Sequence, residues 1–222
     1  SLSGAEFTVQ SVEPKPYRRR PAPPFMTSTL QQEGGRRLGF SAARTMGAAQ
    51  RLYEQGYITY MRTDSTTLSA DALSAARDLV KERYGNENLP ADARLYKKKV
   101  KNAQEAHEAI RPAGDTWRPP ADIGFGASTD EARLYELIWN RTIASQMNDA
   151  EGQTVTIRLE GSGSGTDIVA FSTSGTVITS PGFRLIYGQQ SDEEDDRELP
   201  NRVPGDVVRA LSVESTEHET KP

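Results

Sequence analysis

The sequence predicts an α+β chain in which a mainly helical domain is inserted into a strand-rich one, segregated rather than alternating. Three observations carry this. Apolar residues recur at helical spacing through the middle of the chain and alternate at period two near both ends. Stretches rich in Pro and Gly separate the two regimes. The boundaries place the helical domain at 21–149 and the strand-rich domain at 1–20 and 150–222.

Near the start, Phe7, Thr8 and Val9 alternate as a half-buried strand does, and residues 14–24 are rich in proline. Ser41 is placed to cap a helix in which Thr45, Ala48, Ala49, Leu52 and Tyr53 share a face, with Gly56 as its stop. Ser69 opens a second helix, with Ala72, Leu73, Ala76, Leu79, Val80 and Tyr84 on one side and Gly85 beyond its end. Ser128 and Glu131 have capping-box spacing ahead of a third, whose Leu134, Tyr135, Ile138, Trp139 and Thr142 form a broad face. Strand-like runs return at 155–159, 168–171, 176–179 and 207–213. Turn material at 161–165, 174–175, 181–182 and 204–205 punctuates them.

Composition narrows the function classes. The 222 residues hold no cysteine, which excludes disulfides and thiolate metal sites, and only two histidines, His107 and His218. No run of 18 apolar residues and no charged-then-apolar leader is present, so the expectation is a cytoplasmic protein with no membrane partner. The net charge of −4 hides an asymmetry. Residues 15–111 carry 18 Lys/Arg against 10 Asp/Glu, whereas 112–222 carry 9 against 19. Such a split predicts a polyanionic partner for the first region alone. The run Lys97, Lys98, Lys99, Lys101 lies within it and reads either as a solvated charge run or as a phosphate track. Asp192, Asp195 and Asp196 belong to an acidic solvated loop.

Between the first two helices stands GYITYMRTDS, residues 56–65. Its 57–61 portion is aromatic and β-branched and too short for a helix, so it is an extended connector held at both ends. Tyr60 on such a connector either packs or presents its hydroxyl for chemistry, while Tyr53 and Tyr57 read as packing residues. A phenol with a pKa of about 10 needs a nearby cation or base to act as a nucleophile. Arg62, two residues on, shares a face with Tyr60 in extended backbone and has the fork that grips a phosphate.

Three stretches, PFMTSTLQQ (24–32), AQRLYEQGYITYMRTDSTTL (49–68) and QEAHEAIRP (104–112), are similar to bacterial type IA DNA topoisomerase I in order and spacing. The likeness extends over essentially the whole chain, weakening after Met147. The resemblance implies that Tyr60 is the nucleophile, attacking a single-stranded DNA phosphodiester and becoming linked to the 5′ phosphate while a 3′ hydroxyl waits to reseal. Storing the bond in a phosphotyrosine removes the need for ATP, and no GxxxxGK[ST] motif is present. It further implies DNA contacts for Arg62, His107, Arg111 and Gln50. Thr27, Ser28 and Gln31 read as bracing the domain junction rather than doing chemistry. Mg2+ is expected in the full-length enzyme at a site outside this chain, because the family's acidic DxDxEG-type cluster does not occur here. The expectation is therefore a central fragment of a monomeric, nucleoid-associated enzyme: arch strands plus the tyrosine-bearing domain. Alone it should not relax negative supercoils. Two rivals stand beside it. A site-specific recombinase would need more Arg and His ligands around its tyrosine, and a non-catalytic single-stranded nucleic-acid-binding module would need only the basic region.

Overall fold

The computed structural model describes residues 2, 4–96, 108–162, 168–188 and 199–212. Its main elements are β1 (Glu6–Arg19), α1 (Thr27–Leu38), α2 (Ala42–Glu54), α3 (Ala70–Tyr84), α4 (Asp130–Ala144), β2 (Ala150–Ser162), β3 (Ile168–Ser180) and β4 (Val207–Arg209). Helix and sheet are both present, and the chain divides into two compact units. One comprises Ser1–Arg18, Glu151–Ser180 and Ser191–Pro222; the other comprises Arg19–Ala150 and Pro181–Gln190.

In the helical unit, local capping sets two helix starts. The Ser41 hydroxyl accepts from the Arg44 N–H at 3.2 Å, and that of Ser69 accepts from Ala72 N–H at 3.3 Å. The third start differs from expectation by one residue. Thr129, not Ser128, has the extended backbone a cap requires, and its hydroxyl accepts from Ala132 N–H at 3.3 Å. Glu131 is thereby released from a capping box, and its carboxylate pairs with Arg51 of α2. Arg44 and Asp130 form a second α2–α4 bridge with two 2.7 Å hydrogen bonds.

Helix α1 has no counterpart in the apolar pattern, since TSTLQQEGGRRL offers only Leu30 and Leu38 as large apolar residues. Packing explains it. Gly34 is buried against α2, where a Cβ would approach the Thr45 hydroxyl to 2.7 Å, so the glycine lets the two helices come close. Gly39, left-handed at φ 70°, ends the helix. Leu30, Leu52, Ile58, Met61, Ile110, Leu134 and Ile138 meet in one fully buried cluster, joined by Trp117 and Trp139. Phe183 and Ile186, from a short 3-10 helix (Gly182–Tyr187), pack on the same core.

In the strand unit the order is β3-β2-β1-β4. Strands β2 and β3 pair antiparallel from Glu151↔Ser180 to Ser162↔Ile168, and β1 pairs antiparallel with β4 from Glu6↔Arg209 to Thr8↔Val207. Two expectations change here. β1 continues through Pro14 and Pro16 to Arg19, and β3 runs unbroken through Ser174 and Gly175, where the sequence placed a turn. Twelve registered pairs with β2 outweigh the local turn preference of Ser-Gly. Phe7, Val9 and Ile157 are the buried apolar residues among those described in this unit, with Phe171 edge-on to Phe7 at 5.3 Å. No helix among the described residues is long and apolar enough to cross a membrane.

Candidate active site

The connector after α2 is pinned from two directions. Upstream of Tyr60, the segment 109–113 lies alongside it. Ala113 N–H donates to the Tyr57 carbonyl and Thr59 N–H to the Arg111 carbonyl, both at 2.9 Å. The Thr59 hydroxyl donates to the Ala109 carbonyl at 2.7 Å and accepts from Arg111 N–H at 3.0 Å. Segment 109–113 is itself fixed by Ile110 N–H to Phe25 carbonyl (2.8 Å) and Ala109 N–H to Thr67 carbonyl (2.9 Å). Downstream, Thr27 at the start of α1 engages Met61 and Thr63. Ile58 and Met61 anchor the connector inward, at 2% and 1% exposure.

Between these pins the side chain of Tyr60 stands out, 48% exposed, its ring edge-on to Tyr53 of α2 at 5.2 Å. Its neighbour Met61 points inward while Arg62 is exposed again, the alternation expected of extended backbone. Arg62 lines an open groove of about 530 Å³ with Met26, Thr27, Ser28, Gln31, Thr63 and Asp64. Tyr57 packs instead, as expected: its ring lies near Phe125 and Tyr135, and its hydroxyl accepts from Gly124 N–H at 3.2 Å.

The other expected contacts fare differently. Gln50, half-buried on α2 one turn before Tyr53, donates its side-chain amide to Glu54 at 2.7 Å. Arg111 turns inward. It is 8% exposed, and its guanidinium donates to both carboxylate oxygens of Glu108 (3.3 and 2.7 Å) and to the carbonyls of Pro112 (2.8 Å) and Gly114 (2.9 Å). Four of its five N–H groups are thus held by the protein, so as placed it braces segment 109–113 rather than facing a ligand. Glu108 also accepts from Ser69 N–H at 2.8 Å, joining the start of α3 to this brace. Burial alone would raise the Glu108 carboxyl, but the Arg111 and Ser69 hydrogen bonds outweigh it and hold it below the ordinary carboxylate range. His107, the lysine run 97–101 and the acidic run 192–196 lie outside the described residues.

Sequence reasoning underrated three residues. Thr27 acts on the connector through Met61 and Thr63, and Thr59 and Glu108 complete the bracing. No local pattern pointed to the Glu108–Arg111 pair, since residues 108–111 are not helical and i,i+3 spacing does not by itself bring side chains together there. Among the described residues no group of three or more His, Asp or Glu side chains is gathered to hold a metal ion.

An exposed tyrosine on a pinned, extended connector beside an exposed arginine, in the helical unit of a chain that holds both helix and sheet, defines a protein with a prepared phenol. The chain belongs to the DNA topoisomerase family: that family's model matches residues 1–222. It is 55% identical over its whole length to DNA topoisomerase 1 of Mycolicibacterium smegmatis and 54% identical to that of Streptomyces coelicolor, covering 24% of each. It thus spans about a quarter of the length of these curated relatives. Full-length topoisomerase I from Thermotoga maritima superposes with a TM-score of 0.73 at 33% identity, over 94% of this chain and 33% of that one.

Proposed function

We propose that this chain is the central part of a type IA DNA topoisomerase and that Tyr60 is its nucleophile. The single observation supporting this is an exposed Tyr60 hydroxyl-bearing ring on a connector whose backbone is pinned on both sides. A nucleophile held this way approaches its target without first ordering a loop. The Tyr60 oxygen attacks the phosphorus of a single-stranded DNA phosphodiester. A Tyr60 O–P bond forms, the P–O3′ bond breaks, the phenol gives up its proton and the leaving O3′ takes one. Resealing reverses each change, so no ATP is consumed. Arg62 grips the phosphate oxygens as charge builds on them. Its exposure beside an open groove supports that role. Arg111 serves as a brace, while Gln50 and His107 are proposed DNA contacts.

The two compact units would correspond to arch strands and tyrosine-bearing domain of a larger enzyme acting as a monomer at the nucleoid. Its Mg2+ site would be built outside the described residues. Alone, this chain is expected to leave negatively supercoiled plasmid unrelaxed. The test is Tyr60→Phe in the full-length enzyme, with a 3′-end-labelled single-stranded oligonucleotide. Loss of the covalent protein–DNA band with retained binding supports the reading. A persistent band ends it, and a wild-type enzyme that binds but never forms the band favours the non-catalytic binding module.

A further inference from the structure

One side chain outside the expected site makes more contacts to the Tyr60 connector than any packing role demands. Thr27 is the first residue of α1. Its hydroxyl oxygen lies 2.8 Å from the Met61 carbonyl and 3.0 Å from the Thr63 carbonyl, and it accepts from the Thr63 N–H at 2.9 Å. Its own N–H donates to the Thr63 carbonyl at 2.9 Å. The carbonyls it reaches belong to the residues on either side of Arg62. Thr27 therefore straddles Arg62, and it also lines the groove onto which Arg62 opens.

We propose that Thr27 is a positioning residue for DNA cleavage: its hydroxyl fixes the backbone on both sides of Arg62, and through it the direction in which Arg62 and Tyr60 leave the connector. The inference rests on the reading of Tyr60 as the nucleophile. The chemistry is specific to a hydroxyl. One O–H proton serves two carbonyls and one lone pair serves an amide, a combination that needs a donor and an acceptor on the same atom. The helix needs nothing from this side chain, since the first-turn position uses only the Thr27 N–H, one of the unsatisfied donors of a helix start. Without the hydroxyl, the Met61 carbonyl loses the contact that opposes rotation of the 61–62 peptide. Arg62 follows that peptide directly and Tyr60 stands one residue before it, on the other side of Met61, and displacement of a reacting group by about 1 Å can slow a step by about a hundredfold.

Thr27→Val keeps the shape and removes the donor and acceptor; Thr27→Ser keeps the hydroxyl and removes a methyl. In the full-length enzyme, Thr27→Val should slow covalent-complex formation on a single-stranded oligonucleotide by about tenfold to a hundredfold. Its affinity for the oligonucleotide should stay within about twofold, and Thr27→Ser should recover most of the rate. Amide hydrogen exchange supplies an independent readout: Thr63 should exchange much faster in Thr27→Val, while Thr59 and Ala113, pinned from the other side, should not. Wild-type cleavage by Thr27→Val overturns the proposal. So does a loss of cleavage in both variants that tracks a fall in melting temperature, which makes Thr27 merely structural. If Thr27→Val does not fold, Thr27→Ser decides: slow cleavage at an unchanged melting temperature would show that the hydroxyl is not what matters. Tyr60→Phe in the same assay separates the two claims, since a covalent band there sinks the nucleophile reading whatever Thr27 does.

Discussion

The two units reach order by different means. The helical unit gathers its apolar side chains into one continuous cluster extending from Phe25 to Met147, with Leu30, Leu52, Ile110 and Ile138 fully buried. The strand unit buries only Phe7, Val9 and Ile157 among its described apolar residues. It relies on long ladders and on hydroxyl pairs across them, Thr154 with Thr176 at 3.1 Å and Thr156 with Ser174 at 2.9 Å. The contrast teaches where a prepared side chain can sit. Holding a reacting atom to within a fraction of an ångström needs neighbours whose own rotamers are locked by packing. Tyr60 has Ile58 and Met61 beneath it, and the strand unit offers no comparable floor.

The sharpest way to break this comparison is to change the site without touching its floor. Arg62→Ala in the full-length enzyme should cut covalent-complex yield by a factor of about a hundred or more, the loss seen when one transition-state donor is removed. Stability should stay within about 1 kcal/mol, as for an exposed position. Arg62→Lys should recover only part of the activity, because it keeps the charge and loses the fork. A large drop in melting temperature for Arg62→Ala would assign the residue to the scaffold.

The next test sets one floor against the other. Ile110→Ala should cost about 3–5 kcal/mol, since Ile110 is fully enclosed. Ile157→Ala should fall at the low end, about 2 kcal/mol, because a thin cluster loses fewer contacts and collapses more easily. Urea midpoints of the two variants measure this, and equal costs would erase the distinction between the units.

Acid probes the brace of the helical unit. The folded-state pKa of Glu108 is depressed, as is that of Glu33, where hydrogen bonds and charges from Arg36, Arg141 and Arg37 overcome burial. Such groups contribute stability above the ordinary glutamate value near 4.5, and that contribution is lost as pH falls through the lower folded value. Melting temperature should therefore drop as pH falls below about 4.5, and Glu108→Gln should flatten part of that slope. An unchanged slope would remove the Glu108–Arg111 pair from the ledger of the site.

The smallest effect lies in the strand unit. The Tyr17 hydroxyl is buried with no hydrogen-bond partner among the described residues. Tyr17→Phe removes an unsatisfied group and should be neutral or stabilising by up to about 1 kcal/mol. A clear loss of stability would mean that the hydroxyl is satisfied after all.

By itself the sequence determined what depends on near neighbours. Ser41 and Ser69 mark helix starts because a cap bonds only three residues ahead. The alternation of Tyr60, Met61 and Arg62 shows which way each side chain faces because extended backbone has period two, although Ile58, two residues before Tyr60, is buried and departs from it. The motif around Tyr60 was legible through its resemblance to a known family, since the residues alone left packing and chemistry both open. Tertiary structure alone decided the rest. Helix α1 has too few apolar residues to announce itself and exists because Gly34 admits Thr45. Strand β3 ignores its own Ser-Gly turn signal because β2 supplies partners on both sides of it, Val155 for Gly175 and Thr156 for Ser174 among twelve registered pairs. Arg111 could have faced solvent or protein; Thr59, some fifty residues earlier, fixes the backbone that turns it toward Glu108. Thr27 meets Met61 across a gap of 34 residues that no local pattern encodes. Hydrogen bonds between distant segments are set by how the core closes, and only the folded chain brings their donors and acceptors within reach.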